Sequence, residues 1–152
     1  MSFADDVRDM YQEFILDHGR RPRHGQRLAA FDASAKGDNP MCGDRVEVFV
    51  KMAGDGTIAA AGFEARGCAI SVASADLMAE TVQGRGKTET KALFNAFLQM
   101  VKTGVCPEHD AVLERLAPLS GVHEYPSRVK CATLPWHALN AALDGTREAT
   151  SE

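Results

Sequence analysis

Three of the four cysteines in this 152-residue chain lie in short segments that pair a thiol with glycine or a charged residue: Cys42-Gly43-Asp44, Gly67-Cys68 and Lys130-Cys131. Three thiolates and the Asp44 carboxylate are enough to surround one metal ion. A set of three sulfurs and one oxygen suits four-coordinate Zn²⁺. The positive charges of Arg128 and Lys130 would offset part of the negative charge of such a site.

The same cysteines also have a purely structural interpretation, because a lone cysteine often behaves as a small buried apolar residue. The chain contains no C-x-x-C pair, and its five histidines have no paired metal-binding spacing and are expected at the surface. The residue types alone therefore leave a metal site and buried thiols both open. For Cys106, which has no ligand type beside it, the buried thiol is favoured.

Two predicted strands determine where two of the cysteine segments lie. Alternating apolar and charged residues predict a strand over residues 45–52, and Gly54-Asp55-Gly56 predicts a tight turn. The chain is then expected to return as a second strand over residues 57–66. One face of this returning strand is expected to carry Ala59, Ala61, Phe63 and Ala65.

This hairpin predicts contact between residues that are distant in sequence. Cys42 and Asp44 precede the outgoing strand and Cys68 follows the returning strand, so the three should meet at the open end of the hairpin. Cys68 opens a predicted helix, and Cys131 is expected at or just before the start of another. Unpaired N–H groups and the positive end of the helix dipole favour a thiolate at such positions. Cys42 is expected in an exposed loop.

The remaining elements are mostly helical. Helices are predicted over residues 4–16, 69–82, 88–102, 107–116 and 132–143, and a weaker strand over residues 28–33. Together these elements predict an α+β fold in which a small antiparallel sheet of about three strands packs with helices. We expect one domain over residues 1–145, followed by a polar C-terminal tail over residues 146–152.

Composition narrows the class of protein. The hydrophobic fraction of 45% and charged fraction of 25% are typical of a globular domain, and a net charge of −4 argues against nucleic acid as a partner. No apolar run approaches the roughly 18 residues of a membrane span, and the N-terminal segment does not have the pattern of an export signal. A cytoplasmic location is therefore expected. Thiols stay reduced there, which favours ligands or nucleophiles over disulfides.

Longer motifs around the three cysteines resemble those of the IscU/NifU-type iron–sulfur assembly family. The motifs are Asn39-Pro40-Met41-Cys42-Gly43-Asp44-Arg45, Arg66-Gly67-Cys68-Ala69-Ile70-Ser71 and Arg128-Val129-Lys130-Cys131-Ala132-Thr133-Leu134-Pro135-Trp136. The resemblance covers about residues 3–143. Within the family the chain is similar to the SufU branch, because Lys130 stands where IscU-type scaffolds usually carry histidine and residues 104–125 form an insertion that those scaffolds lack.

The resemblance implies a fold of the SufE/IscU kind and zinc held by Cys42, Asp44, Cys68 and Cys131. It also implies a pyridoxal-phosphate cysteine desulfurase of the SufS type as partner. Cys42 matches the residue that accepts persulfide sulfur, after a histidine of the desulfurase replaces it on zinc. Such a protein is a sulfur relay rather than a stand-alone enzyme, and its sulfur passes to a downstream SUF scaffold or to apo-proteins.

Two other functions use the same residues. A scaffold would assemble a transient [2Fe–2S] cluster on the three thiolates, because thiolate ligation suits iron–sulfur clusters as well as zinc. An interaction module would hold a purely structural zinc that never releases Cys42. Lys130 in place of histidine favours zinc and sulfur relay. The role of Cys106 and of the insertion over residues 104–125 is left open by the sequence.

Overall fold

The computed structural model describes residues 3–40, 43–106 and 110–150. In chain order its elements are α1 (Phe3–Arg20), β1 (Ala33–Asn39), β2 (Asp44–Met52), β3 (Ile58–Arg66), α2 (Ala69–Val82), α3 (Lys87–Thr103), α4 (Ala111–Leu116), a 3₁₀ helix (Ala117–Glu124), α5 (Pro126–Leu143) and β4 (Glu148–Thr150). One sheet packed with helices confirms the predicted α+β class.

The four strands form one mixed sheet in the order β3-β2-β1-β4. β2 pairs antiparallel with β1 and with β3, which gives the small antiparallel sheet that was predicted. β4 adds a short fourth strand that runs parallel to β1 at residues 36–38. Because β4 covers residues 148–150, part of the segment expected to be a polar tail pairs with the sheet.

The strand predicted over residues 28–33 is wrong, because β1 begins only at Ala33. β1 is rich in small and charged residues, so its sequence carries little of the β-branched and aromatic pattern of a strand. Its buried Gly37 fits there because a Cβ would lie 3.1 Å from atoms of both Leu134 and Val46. The apolar stretch before β1 instead covers the sheet, with the ring of Phe31 5.1 Å from that of Phe49.

The core lies between one face of the sheet and the helices α2, α3 and α5. Val46, Val48 and Val50 of β2 point into it and are buried, as their alternation predicted. Trp136 of α5 is fully buried, and Phe97 of α3 stacks on it with ring centroids 4.8 Å apart. Burying side chains of this size contributes about 2 kcal/mol each, which fixes the helices on the sheet independently of any bound ion.

The predicted inner face of β3 is correct except at its start. Ala61 and Phe63 are buried and Ala65 is half-buried, but Ala59 is exposed and Ile58 is buried instead. The reason is a register irregularity in the β2–β3 ladder, where Met52 pairs with residue 58 and its neighbour Lys51 with residue 60. One extra residue in one strand changes the face on which the preceding side chains lie.

Two helix boundaries differ from the prediction. α1 continues through Gly19 to Arg20, and Gly19 lies against the start of α2: a Cβ at Gly19 would lie 2.9 Å from the Cβ of Ala69. α5 begins at Pro126, which suits a first helical turn because proline has no N–H to leave unpaired. The expected position of Cys131 at or before a helix start is therefore wrong, since it lies in the second turn of α5.

Two other helices, α2 and α3, agree closely with the prediction. α2 has the predicted bounds, and α3 ends at Gly104, whose left-handed conformation and N–H bond to the Met100 carbonyl close the helix. The helix predicted over residues 107–116 begins only at Ala111, because Asp110 is extended and its side chain caps the helix; residues 107–109 lie outside the described residues. No helix in the described part of the chain is long and apolar enough to cross a membrane.

A buried carboxylate in α2 ties α1 and the following loop to the core. Asp76 is fully buried and accepts hydrogen bonds from the backbone N–H groups of Arg23 and His24, both at 2.8 Å. His18 Nδ1 lies 2.5 Å from the same carboxylate, and only 6% of His18 is exposed. The expectation that all five histidines lie at the surface is therefore wrong for His18, which satisfies a buried charge.

Candidate metal centre

Three of the predicted ligands meet where β2 begins, α2 begins and α5 passes. Asp44 is the first residue of β2, Cys68 is the N-cap of α2, and Cys131 lies in α5. One donor atom from each residue lies within 4.8 Å of the other two. The hairpin brings Asp44 and Cys68 together as predicted, although 24 residues separate them. Cys42 lies outside the described residues, two positions before Asp44 in the chain.

The Asp44 carboxylate is held by two hydrogen bonds from the start of α2. The backbone N–H of Cys68 donates to Asp44 Oδ1 at 2.9 Å, and the Ser71 hydroxyl donates to Oδ2 at 2.8 Å. Asp44 is 1% exposed and Ser71 is 2% exposed, so water has little access to either bond. Sequence reasoning missed Ser71 as a functional residue. The signal was its position three residues after Cys68, which places both on one side of a helix.

Gly67 allows the carboxylate and the start of α2 to come this close. A Cβ at residue 67 would lie 2.1 Å from Asp44 Oδ1 and 2.8 Å from its carboxyl carbon. Such distances are far inside van der Waals contact. Glycine is therefore required by the close approach itself, and this explains the glycine that precedes the thiol in the second cysteine segment.

The electrostatics of the cluster favour a thiolate at Cys68. A hydrogen bond with Cys131 is the main cause that lowers the pKa of Cys68 to about 5, and Ser71 lowers it further. Burial and the nearby charge of Asp44 act in the opposite direction. The position of Cys68 at the N-cap of α2 agrees with the prediction. Cys131 does not lie at the N-terminus of its helix, so the helix dipole does not favour its thiolate in the same way. Its thiol lies 3.5 Å from the carbonyl oxygen of Ser127.

The two predicted supporting cations differ in their relation to the cluster. Attraction to the Cys68 thiolate raises the pKa of the Arg128 guanidinium, and a hydrogen bond to Cys131 adds to the effect. Arg128 is exposed, so solvent weakens this attraction. Lys130 is half-buried on α5, directly before Cys131.

The donor set fits a zinc ion. Tetrahedral bonds of about 2.3 Å to sulfur and 2.1 Å to oxygen separate the two donors by about 3.6 Å. Cys68 Sγ and Asp44 Oδ2 lie 3.8 Å apart, close to that value. Asp44, Cys68 and Cys131 supply two sulfurs and one oxygen, which leaves one place for a fourth ligand.

Cys106 is unlike the clustered thiols. Burial raises its pKa, and the charges of Glu114 and Asp110 raise it further. Its thiol is therefore kept protonated, and it is not among the described residues that form the candidate metal cluster. This agrees with the interpretation of Cys106 as a structural thiol.

Residues 118 and 120–125, at the end of the segment expected to be an insertion, line one side of a groove beside the cluster. The 3₁₀ helix of this segment packs against α1, α3 and α5. The groove has a volume of about 640 Å³ and a mainly apolar lining. Its lining includes Leu16, Ile70, Val122, Tyr125, Cys68 and Arg128. This part of the segment therefore lines the same groove as Cys68 and Arg128.

The chain is similar in sequence to one protein family and to several of its members. A family model described as the NifU-like N-terminal domain matches residues 10–132. The iron–sulfur cluster assembly scaffold protein IscU of Streptococcus pyogenes serotype M1 is 37% identical over 134 residues, which cover 88% of this chain and 82% of the relative. The zinc-dependent sulfurtransferase SufU of Bacillus subtilis (strain 168) is 34% identical over 143 residues, 94% of this chain and 95% of the relative.

The chain also shares its fold with a solved structure. The SUF-system iron–sulfur cluster assembly scaffold protein SufU from thermophilic Fervidobacterium islandicum AW-1 superposes with a TM-score of 0.77 and 34% identity. The match covers 86% of this chain and 94% of that one. The family model, the identities and the shared fold together show that the chain belongs to the NifU-like N-terminal domain family, the IscU/NifU family that its cysteine motifs resemble.

Proposed function

We propose that this protein serves iron–sulfur cluster assembly as a zinc-dependent sulfur relay that takes sulfur from a SufS-type cysteine desulfurase. The observation that carries the proposal is the convergence of Asp44, Cys68 and Cys131, whose donor atoms lie within 4.8 Å of one another. The name of the Bacillus subtilis relative, a zinc-dependent sulfurtransferase, supports zinc over other ions for this donor set.

Cys42, Asp44, Cys68 and Cys131 would hold the zinc ion in this proposal. Bound zinc supplies a positive charge that keeps thiols as thiolates without changing their oxidation state. Asp44 is fixed by two hydrogen bonds, and Cys68 and Cys131 belong to packed helices. Cys42 lies in the sequence between β1 and β2 and belongs to neither strand, so it is the ligand proposed to be released. A histidine of the desulfurase would take its place.

The transfer itself is a thiol–persulfide exchange. The Cys42 thiolate attacks the terminal sulfur of the persulfide on the desulfurase, and a new S–S bond forms at Cys42. The S–S bond of the desulfurase breaks, and its cysteine leaves as a thiolate. One S–S bond replaces another, so the step requires no external oxidant or reductant. Arg128, near Cys68 and Cys131, favours the negative charge present throughout.

The test compares Cys42→Ala with Cys106→Ala in a desulfurase assay. Anaerobically purified protein is added to a SufS-type desulfurase with cysteine, and alanine release is measured together with sulfur loading by mass spectrometry. We expect Cys42→Ala to reduce turnover to that of the desulfurase alone and to abolish the added sulfur. Cys106 is not part of the cluster, so Cys106→Ala should give the same turnover and sulfur loading as the parent protein. Equal stimulation by Cys42→Ala and the parent would show that the acceptor assignment is wrong.

A second candidate function is a scaffold for a [2Fe–2S] cluster on the same thiolates. The observation that favours it is the 37% identity to the Streptococcus pyogenes scaffold protein IscU. Lys130 in the position where IscU-type scaffolds usually carry histidine favours the relay instead. Anaerobic reconstitution with iron and sulfide separates the two functions. A scaffold would form a coloured cluster and pass it to an apo-protein, whereas the relay would retain zinc and load sulfur on Cys42.

A further inference from the structure

We propose that Ser71 is a positioning residue of the metal centre, which orients the Asp44 carboxylate so that one of its oxygens faces Cys68. This inference rests on the proposed function, because it concerns the same donor set. Ser71 is not itself a ligand. Its contribution comes from a single hydrogen bond, from the Ser71 hydroxyl to Asp44 Oδ2 at 2.8 Å.

The two oxygens of Asp44 have different partners. Oδ1 accepts the backbone N–H of Cys68 at 2.9 Å, so it is tied to the main chain of α2. Oδ2 accepts the Ser71 hydroxyl and lies 3.8 Å from Cys68 Sγ, on the side where the thiols converge. With both oxygens held, the carboxylate cannot rotate about its own axis. It therefore presents Oδ2 in one orientation, which is the condition for binding an ion through a single oxygen.

The Ser71 hydroxyl has one proton and two neighbours that compete for it. Its oxygen lies 2.8 Å from Asp44 Oδ2 and 3.6 Å from Cys68 Sγ. The shorter contact to a charged oxygen is the stronger one, so the proton goes to Asp44. Ser71 is 2% exposed, and a water molecule has little access to replace its hydroxyl. Loss of this hydroxyl would remove the donor that lies 2.8 Å from Oδ2.

Residues that orient metal ligands by hydrogen bonds commonly contribute 10- to 100-fold to metal affinity. A purely structural bond between β2 and α2 would also stabilise the fold, but its loss would not alter how an ion is bound. The two roles therefore differ in their effect on the ion. The affinity for Zn²⁺ and the absorption spectrum of bound Co²⁺ both report on the ligands directly, without any activity measurement.

The experiment uses the full chain with three substitutions at residue 71. Ser71→Ala removes the hydroxyl, while Ser71→Val and Ser71→Thr add the same bulk and differ in the hydroxyl alone. Thr81→Val is the matched control, because Thr81 is a buried residue of α2 whose hydroxyl donates within its own helix, to the Leu77 carbonyl. Zn²⁺ affinity is measured by competition with a chelator, and Co²⁺ spectra are recorded for each protein.

We expect Ser71→Ala and Ser71→Val to weaken Zn²⁺ binding about 10- to 100-fold and to shift the Co²⁺ bands. Ser71→Thr should bind more tightly than Ser71→Val, and Thr81→Val should match the parent. Equal affinities and spectra for the Thr and Val variants at residue 71 would overturn the inference, as would a parent that binds neither ion. If the hydroxyl controls metal binding but Cys42 accepts no sulfur, the relay proposal fails and the inference stands. If Cys42 accepts sulfur but the hydroxyl has no effect, the inference alone fails.

Discussion

At residue 67, the absence of a side chain is what allows the candidate site to form. Asp44 Oδ1 occupies the space that a Cβ of residue 67 would fill, at 2.1 Å from it. Ser71 completes the arrangement from the other side with its bond to Oδ2. The geometry of the carboxylate therefore depends on two small residues, neither of which binds the ion.

Gly67→Ala tests this dependence. The added methyl group must displace the carboxylate or the start of α2, so we expect at least a tenfold loss of Zn²⁺ affinity in chelator competition. Gly121→Ala is the control, because a Cβ at residue 121 would meet nothing within 4 Å. If Gly67→Ala binds Zn²⁺ as tightly as the control, the close approach has no role in metal binding.

At the scale of elements, α2 contributes both to the candidate site and to the packing of α1. Cys68 is its N-cap, Ser71 lies in its first turn, and its middle carries the buried Asp76, which holds α1 and the following loop. The same helix therefore supports the site at one end and the packing of the N-terminal part at its centre. A substitution at Asp76 should affect stability, since its partners are the backbone of the loop and His18.

Asp76→Ala is expected to lower the free energy of unfolding by about 3–5 kcal/mol, because it leaves buried donors without an acceptor. The control is Glu80→Ala, one turn further along α2, where the partner Arg115 is 59% exposed in its side chain. An exposed pair of this kind contributes less than about 1 kcal/mol. Urea denaturation at neutral pH measures both. If the two variants lose equal free energy of unfolding, the buried Asp76 carboxylate contributes no more to stability than the exposed Glu80–Arg115 pair.

At the scale of the whole molecule, the site joins β2, α2 and α5 without being the core. The core residues Val48, Phe97 and Trp136 are fully buried and pack among themselves. Folding should therefore persist without the ion, while bound zinc should add stability by linking three elements. A sulfur relay should therefore stay folded without zinc, whereas a module that depends on structural zinc should unfold.

Metal removal provides the corresponding prediction. Zinc at about 100 times its dissociation constant should stabilise the native state by about 2.7 kcal/mol. In a domain of this size that corresponds to a rise of about 5–10 °C in Tm. We expect the chelated protein to retain its helical circular dichroism at 25 °C and to melt earlier. Complete unfolding on chelation would instead favour the structural-zinc module. As a control, the Tm of Cys131→Ala should change little when zinc is added.

Local sequence patterns were sufficient for the central hairpin and for α2 and α3. Except at Phe49, apolar and charged residues alternate along β2 from Arg45, a glycine-rich turn follows it, and Gly104 ends α3 in the left-handed conformation it favours. Since each signal lies within one element or turn, it can be interpreted without knowing what packs against it. The meeting of Asp44 and Cys68 followed from the hairpin alone.

The tertiary structure decided what depends on contacts between distant segments. β1 is a strand because β2 and β4 pair with it, although its own residues barely favour one. The place of Cys131 required α5 to pack on the sheet, and the roles of Gly67 and Ser71 appeared only where the first residue of β2 meets the start of α2. The sequence by itself determined which atoms are available for metal chemistry, because that depends on residue type. Their separations depend on how the elements pack, which only the folded molecule determines.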